Sequence, residues 1–508
     1  MKIKKIIASL CITLLLSSFM LACTNPIAQK TLEVTSIKAI ADPSEYERVM
    51  ADPFADESQK SHSGLNQELY IALHKAIQEM KPTVNIASFN LTKQQKEDVI
   101  RTLSKENWLF FYYLTEAKLS DDGSTVSFSY LVNLEQGSKE QKKLSSRLQH
   151  LLYNVALEDY SELTKLVAVF NYICENANYT SISDLQAVAF TPFSVLMDGQ
   201  GICQGYADLM DYVLSKRGLD IDTLEGGQHA WNLVKLDGKY YQSDVTFAAG
   251  NGYHTANNIS YLLMDDVKRN MKKIDYKIMQ SNGNTTEAPK CTDNRFSTYY
   301  DVGSSYAFDL KNNKVYIGSN EGILRMNLDT TEQENILQGT TPKLMEFFDG
   351  VLYYIDSADK KLYRLSKDKK PELMDGEGGF ESLVLKGTKL ICGKDLNGKN
   401  PKEIELLPTP KGLKNASAQQ AGTLKKADSH GFEVSVSTAL KAEQDYSKNV
   451  YMVDEKENAI PIHISVNEKE NKLIVRPQVL VEDCESVAIY IMDDSGKSVF
   501  GTQWTLEW

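Results

Sequence analysis

Paired cysteines are missing from this chain of 508 residues: it has seven cysteines, and no two stand in a CxxC spacing. That excludes a disulfide framework and a thiolate metal site of the usual spacing. Positive charge is in deficit, with 56 Lys and Arg against 68 Asp and Glu for a formal net charge of −12. No basic block or aromatic-basic stripe offsets this, so nucleic acid is not expected as a partner. Beyond residue 22 no apolar run is long enough to span a bilayer.

The start of the chain is informative. Lys2, Lys4 and Lys5 precede an almost wholly apolar stretch from Ile6 to Leu21, and Met20-Leu21-Ala22-Cys23 follows. A basic start and a short apolar run ended by a small residue read as an export signal. The Cys placed directly after Ala22 resembles the bacterial lipobox. The resemblance implies removal of residues 1–22, a lipid on Cys23, and a membrane-anchored protein facing the extracytoplasmic side. Of the remaining cysteines, Cys174, Cys203, Cys291, Cys392 and Cys484 are odd in number, so at least one thiol stays free.

The chain is too long for one core and has room for several domains. We expect a tether over residues 23–60, then an α/β domain over 61–150. In that domain Leu65, Leu69, Leu73, Ala76 and Ile77 recur at helical spacing, and a second helix starts at Leu91-Thr92. Runs from Trp108 to Leu114 and from Thr125 to Leu134 flank the turn Asp121-Asp122-Gly123 as a hairpin. Residues 284–410 carry a repeat. Val315-Tyr316-Ile317 is echoed by Leu352-Tyr353-Tyr354 and by Leu390-Ile391, with Tyr316 to Tyr353 spanning 37 positions and Tyr353 to Ile391 spanning 38. Repeats near that length, made of short strands, are typical of propeller-like sheets. Residues 400–430 read as a linker. Residues 425–508 hold short alternating strands near Phe432–Val436, Asn449–Val453, His463–Val466, Lys472–Pro477, Val487–Met492 and Val499–Leu506. They are expected to form a β-sandwich resembling bacterial Ig-like modules.

Residues 151–283 carry the chemistry. Gly199-Gln200-Gly201-Ile202 leads into Cys203, and Tyr206, Leu209, Met210, Val213 and Leu214 mark one apolar helical face that ends at Gly218. Cys203 therefore sits on a helix's first turn, where free N–H groups and the macrodipole favour a thiolate. Downstream, His229 to Leu236 is a strand, Asp237-Gly238 is a hairpin turn, and Lys239 to Phe247 is the return strand. With that loop, Trp231 opposes Asp244 and His229 opposes Thr246. His229 and Asp244 then share a face as diagonal neighbours, about 7–8 Å apart at Cα. A carboxylate there can fix an imidazole's tautomer. A buried Asp satisfying a structural His fits the same geometry. Asn232 should point to the opposite face. Cys174 reads as a core residue. His254 lies in a loop without a partner motif, and Asp395-Leu396-Asn397-Gly398 has too few carboxylates for a calcium loop.

Gly201-Ile202-Cys203-Gln204-Gly205-Tyr206-Ala207, His229-Ala230-Trp231-Asn232 and Tyr240-Tyr241-Gln242-Ser243-Asp244-Val245-Thr246 occur in an order and spacing that resemble the transglutaminase-like superfamily. The helix Leu163 to Asn176 and the block Ser260-Tyr261-Leu262-Leu263, read as a strand, extend the resemblance over residues 155–275. It implies a multidomain α+β protein with a papain-like core, a Cys-bearing helix packed on an antiparallel sheet. Cys203 would be the nucleophile, His229 the general base and acid, and Asp244 the orienter. Tyr206, Trp231 and Gln200 are candidate cleft residues. No cofactor or metal is implied. The expected partner is a protein or peptide at the cell surface. Amide hydrolysis through a thioester is expected over cross-linking by amine capture. A non-catalytic surface-binding protein is the rival class.

Overall fold

The computed structural model describes residues 32–40, 65–106, 114–130, 134–180, 191–249, 257–269, 275–279, 285–366, 370–395, 401–413 and 416–508. Residues 1–31, including Cys23, and His254 lie outside them, as does most of the Asp395–Gly398 turn. No helix among the described residues is long and apolar enough to cross a membrane.

The protein is multidomain and sheet-rich. Its largest hydrophobic cluster draws on described residues from Leu69 to Leu328. Two early helices, Gln67–Gln78 and Lys93–Glu106, pack beside a three-stranded sheet. Each has a local start signal. The Asn66 side chain accepts the Leu69 N–H, and Thr92 and Gln95 exchange a reciprocal capping pair. The sheet contains strands Leu114–Leu119 and Thr125–Tyr130, so the hairpin turn lies where expected; of the run Trp108–Leu114, all but Leu114 lies outside the described residues. The second strand does not run on to Leu134, which instead starts the helix Leu134–His150.

That helix continues directly into a π-helical turn, Leu151–Val155. A boundary at residue 150 would cut a continuous helical segment whose two sides share one core, since Leu148 and Leu151 are both buried in it. The boundary at 284 is crossed in the same way: Phe296, Tyr299, Val315 and Met326 belong to that core too.

Three antiparallel sheets follow in chain order, over Tyr306–Gln338, Pro342–Asp375 and Ser382–Glu405. The repeated motif is the second strand of each, with Tyr316, Tyr353 and Ile391 in Lys314–Ser319, Val351–Asp356 and Lys389–Gly393. The sheets stack through apolar layers. Tyr316 and Ile323 meet Met345 and Tyr354, and Leu344 and Ile355 meet Leu383 and Leu390.

The C-terminal strands form two sheets around a shared core that includes Phe432, Val475, Ile489 and Trp504. Two expectations fail here. Val34–Ala39, read as tether, pairs antiparallel with Phe432–Val436 and so joins this sandwich. Within the supposed linker, Gln419–Lys425 pairs parallel with the last strand, Ser498–Glu507. Gln419–Lys425 is exposed over most of its length, and Val34–Ala39 buries only Ile37. Their hydrophobic pattern is therefore faint, and pairing with distant sequence holds them. Arg147 ties the sandwich to the core. It donates to Glu482 at 2.6 and 3.0 Å and to the Met197 carbonyl at 2.6 Å.

Candidate active site

The helix Cys203–Lys216 begins as its apolar pattern predicts, with Gly201, Ile202 and Tyr206 buried beneath it. Two glycines set its position. Gly199 has φ +63°, and a Cβ there would lie 2.9 Å from the Asn176 carbonyl oxygen. A Cβ on Gly205 would lie 2.7 Å from the Thr191 carbonyl oxygen. Any larger residue at Gly205 would push the helix off this neighbour. Ile202 precedes the first turn and offers no side-chain cap. The first-turn amides are thus left to serve the thiol, and the Gln204 N–H does so.

The strand His229–Leu236 lies next to the edge of a five-stranded sheet, between Asp220–Gly226 at its centre and the edge strand Lys239–Ser243. The Asp237-Gly238 turn has both residues at positive φ, 49° and 74°. The ladder keeps the expected register from Leu236↔Lys239 to Asn232↔Ser243. It then stops. Asp244 leaves the strand and caps the short helix Val245–Ala248, accepting the Phe247 N–H at 3.0 Å. The return strand is therefore shorter than expected, and His229 and Asp244 do not meet as ladder partners. They meet because the chain turns at Asp244, where its own N–H donates to the Tyr261 carbonyl at 2.9 Å. The Ser260–Leu263 segment that receives it is a 3₁₀ turn and bend and not a strand.

Cys203, His229 and Asp244 come together at this corner. The His229 Nε2 lies 2.7 Å from Asp244 Oδ2. The Cys203 side chain hydrogen-bonds to the same imidazole. Burial by itself pushes the Cys203 thiol up. The His229 hydrogen bond, the Ala230 N–H, the imidazolium charge and the Gln204 N–H outweigh it, and the thiol ends below its ordinary value. Burial likewise disfavours the imidazolium, yet hydrogen bonds to Asp244 and Cys203 and their charges raise His229 to about 9. Both shifts favour a thiolate beside an imidazolium, and the fully buried Asp244 side chain lies against the same ring.

The proposed cleft residues fare differently. Tyr206 and Trp231 are 0% and 1% exposed, so neither lines an open cleft. Both sit on apolar faces, and periodicity reveals the face but not the depth. The Trp231 Nε1 donates to Gln242 at 2.7 Å, making it a support for the site. Gln200 is exposed in a two-residue strand beside Asn178–Tyr179. Asn232 points away from His229, as expected, and donates to the Ala207 carbonyl at 2.9 Å, tying strand to helix. Cys174 is buried in the core. Among the described residues no group of three or more His, Cys, Asp or Glu side chains could hold a metal ion.

Three residues near the site escaped the sequence reading. Phe247 stacks on the His229 ring at 4.4 Å between centroids and 11° between planes, while 49% exposed. Tyr179 is 58% exposed and close enough to Cys203 for the thiolate's charge to raise its phenol, after burial. Arg269 lies over the Trp231 ring at 4.3 Å and reaches to 3.2 Å from Asp244 Oδ2. An Arg next to Lys268 in a Lys-rich stretch gives no signal in sequence beyond a solvated charge.

No family model matches the chain. It is 27% identical to mouse (Mus musculus) kyphoscoliosis peptidase over 143 residues, covering 25% of this chain and 22% of that protein. The human (Homo sapiens) kyphoscoliosis peptidase is 27% identical over 128 residues, covering 22% and 19%. The chain thus spans about a fifth of the length of these curated relatives. Among solved structures, a TGase crystal structure shares 18% identity over 28% of this chain and 48% of that one, at a TM-score of 0.18. A fungal alcohol oxidase with copper shares 10% over 47% and 60%, at 0.22. Neither structural likeness bears weight at such scores. The sequence similarity is weak, covers about a quarter of the chain, and is to a transglutaminase-like family.

Proposed function

We propose that the protein is a thiol enzyme acting on amide bonds of proteins or peptides, with Cys203 as nucleophile, His229 as general base and acid, and Asp244 as orienter. The observation that carries this reading is the geometry of the corner: His229 Nε2 lies 2.7 Å from Asp244 Oδ2 and the Cys203 side chain hydrogen-bonds to the same ring, contacts that lower the thiol and raise the imidazole. Of the free cysteines, Cys174, Cys291, Cys392 and Cys484 are all pushed upward. A functional thiol needs the opposite shift.

The steps follow from the geometry. The Cys203 thiolate adds to the amide carbonyl carbon, and the oxygen becomes an oxyanion. The Cys203 backbone N–H, at the start of a helix without a side-chain cap, is the proposed donor to it. Collapse expels the amine, which takes the His229 proton, and leaves a thioester. Neutral His229 then removes a proton from water as it attacks. A second collapse gives the carboxylic acid and returns the thiolate–imidazolium pair. Water is favoured over an amine as acceptor because both curated relatives are named peptidases. In this reading Cys23 carries the lipid that holds the enzyme at the membrane, and the stacked sheets and sandwich, as propeller-like and Ig-like modules, present substrate.

The test is alkylation of each cysteine by iodoacetamide at graded pH, followed by mass spectrometry, then incubation with casein with and without a fluorescent primary amine. Selective Cys203 alkylation well below about pH 8.5, with new casein fragments, supports the hydrolase. Amine incorporation would redirect the reading to cross-linking. A Cys203 that reacts like an ordinary thiol would leave the surface-binding class.

A further inference from the structure

We infer that Arg269 is a positioning residue of this site: its guanidinium keeps a cation beside the buried Asp244 side chain whatever the charge on His229. The inference rests on the reading of Cys203, His229 and Asp244 given above.

Asp244 is fully buried, and an ion there without a partner would be strongly disfavoured. One partner is His229, but in the proposed reaction that ring passes its proton to the leaving amine. At that moment a carboxylate relying on His229 alone would be a buried, uncompensated charge. Arg269 is a second cation that does not titrate. It reaches 3.2 Å from Oδ2, the same oxygen that His229 Nε2 meets at 2.7 Å. The approach is an off-axis ion pair, and Nε and Nη2 of Arg269 are buried with no hydrogen-bond partner among the described residues. The guanidinium is instead held by stacking, over Trp231 at 4.3 Å and near Phe247 at 5.4 Å. These rings also flank His229. Base and cation therefore share one aromatic frame.

The frame is built and not incidental. Arg269 ends the short helix Asp266–Arg269. Its first residue, Asp266, accepts from Gln242 Nε2 at 2.7 Å, from the Tyr276 hydroxyl at 2.5 Å and from the Cys291 N–H at 3.1 Å. Gln242 in turn accepts the Trp231 Nε1 proton at 2.7 Å. This largely part-buried chain of bonds registers the helix against Trp231, the ring on which Arg269 lies.

The test compares Arg269→Gln and Arg269→Lys with the parent by following Cys203 alkylation against pH, with melting temperature as a check on folding. The profile has an acid transition, where the thiolate forms, and an alkaline one, where the imidazolium is lost. Removing a positive charge raises the pKa of every neighbour. Arg269→Gln should move the alkaline transition up by about one pH unit, move the acid transition up by less, and lower proteolysis. Arg269→Lys keeps the charge and should restore both transitions. A folded Arg269→Gln protein with reduced activity but unmoved transitions would overturn the assignment, because a merely structural residue changes the amplitude and not the midpoints. A parent with no low-pH Cys203 reactivity would overturn the thiol-enzyme reading first.

Discussion

Two thiols lie against the same strand, His229–Leu236, and are treated in opposite ways. Cys203 stands at its start, where it faces His229 and receives the Ala230 and Gln204 amides. Cys291 packs against Trp231 and Leu233 on one face of the strand, with Asp266 as its charged neighbour. Burial raises both thiols. At Cys291 the carboxylate adds to the effect and the thiol is pushed up to about 12. At Cys203 a cation and two N–H donors reverse it. A partly buried cysteine is thus inert by default, and the sign of its nearest charge decides whether it becomes a nucleophile.

The sharpest way to break this contrast is to remove each sulfur. Cys203→Ala should abolish proteolysis, with a loss of about 10³-fold or more, and leave the melting temperature nearly unchanged. Cys291→Ala should keep the Cys203 alkylation profile and cost about 1 kcal/mol of stability through the small cavity left, read by denaturant unfolding. A Cys203→Ala protein with intact activity would end the comparison. Next in size is His229→Ala, which removes the cation. Alkylation of Cys203 at neutral pH should fall roughly 10- to 100-fold, with its midpoint returning toward about 8.5.

A third test isolates the imidazole from the thiol. In a Cys203→Ala background, His229 still faces Asp244. A group raised in the folded state contributes stability that is complete below its unfolded pKa, about 6.5, and is lost as pH rises through the folded value, which without the Cys203 contributions lies below the parent's value of about 9. Cys203→Ala should therefore be more stable than Cys203→Ala/His229→Ala at pH 6, by on the order of 1–3 kcal/mol. The gap should close by about pH 10. A gap that grows with pH would mean that His229 is held neutral.

How much of this could be read in advance follows the range of the interactions. The Asp237-Gly238 turn sets its own register, so the pairing from Leu236↔Lys239 to Asn232↔Ser243 was legible. The Cys203 helix was legible from its apolar face, and the strand Lys472–Pro477 from its alternation. The exit of Asp244 from the strand was not, because it depends on the Tyr261 carbonyl arriving from a later segment. Arg269 was invisible for the same reason: its partners Trp231 and Asp244 precede it by tens of residues. Val34–Ala39 is held by Phe432–Val436 at the far end of the chain, and no local pattern announces that. Tyr206 and Trp231 were placed on the right kind of face and at the wrong depth.

The smallest effect concerns the other side of the same strand. Asn232 is fully buried and donates to the Ala207 carbonyl, one turn into the Cys203 helix. It fixes the helix to the strand without touching the thiol. Ala207, as a helical carbonyl, keeps its backbone acceptor role when that side chain is lost, and the Asn232 Oδ1 has no partner among the described residues to strand. Asn232→Ala should therefore cost only about 1–2 kcal/mol, measured by denaturant unfolding. The Gly199 and Gly205 contacts and the Ala230 amide still place the sulfur, so the Cys203 alkylation midpoints should stay in place. If they move, the thiol's low value depends on the depth at which the helix is seated as well as on the charges around it, and the contrast with Cys291 would be one of packing as much as of sign.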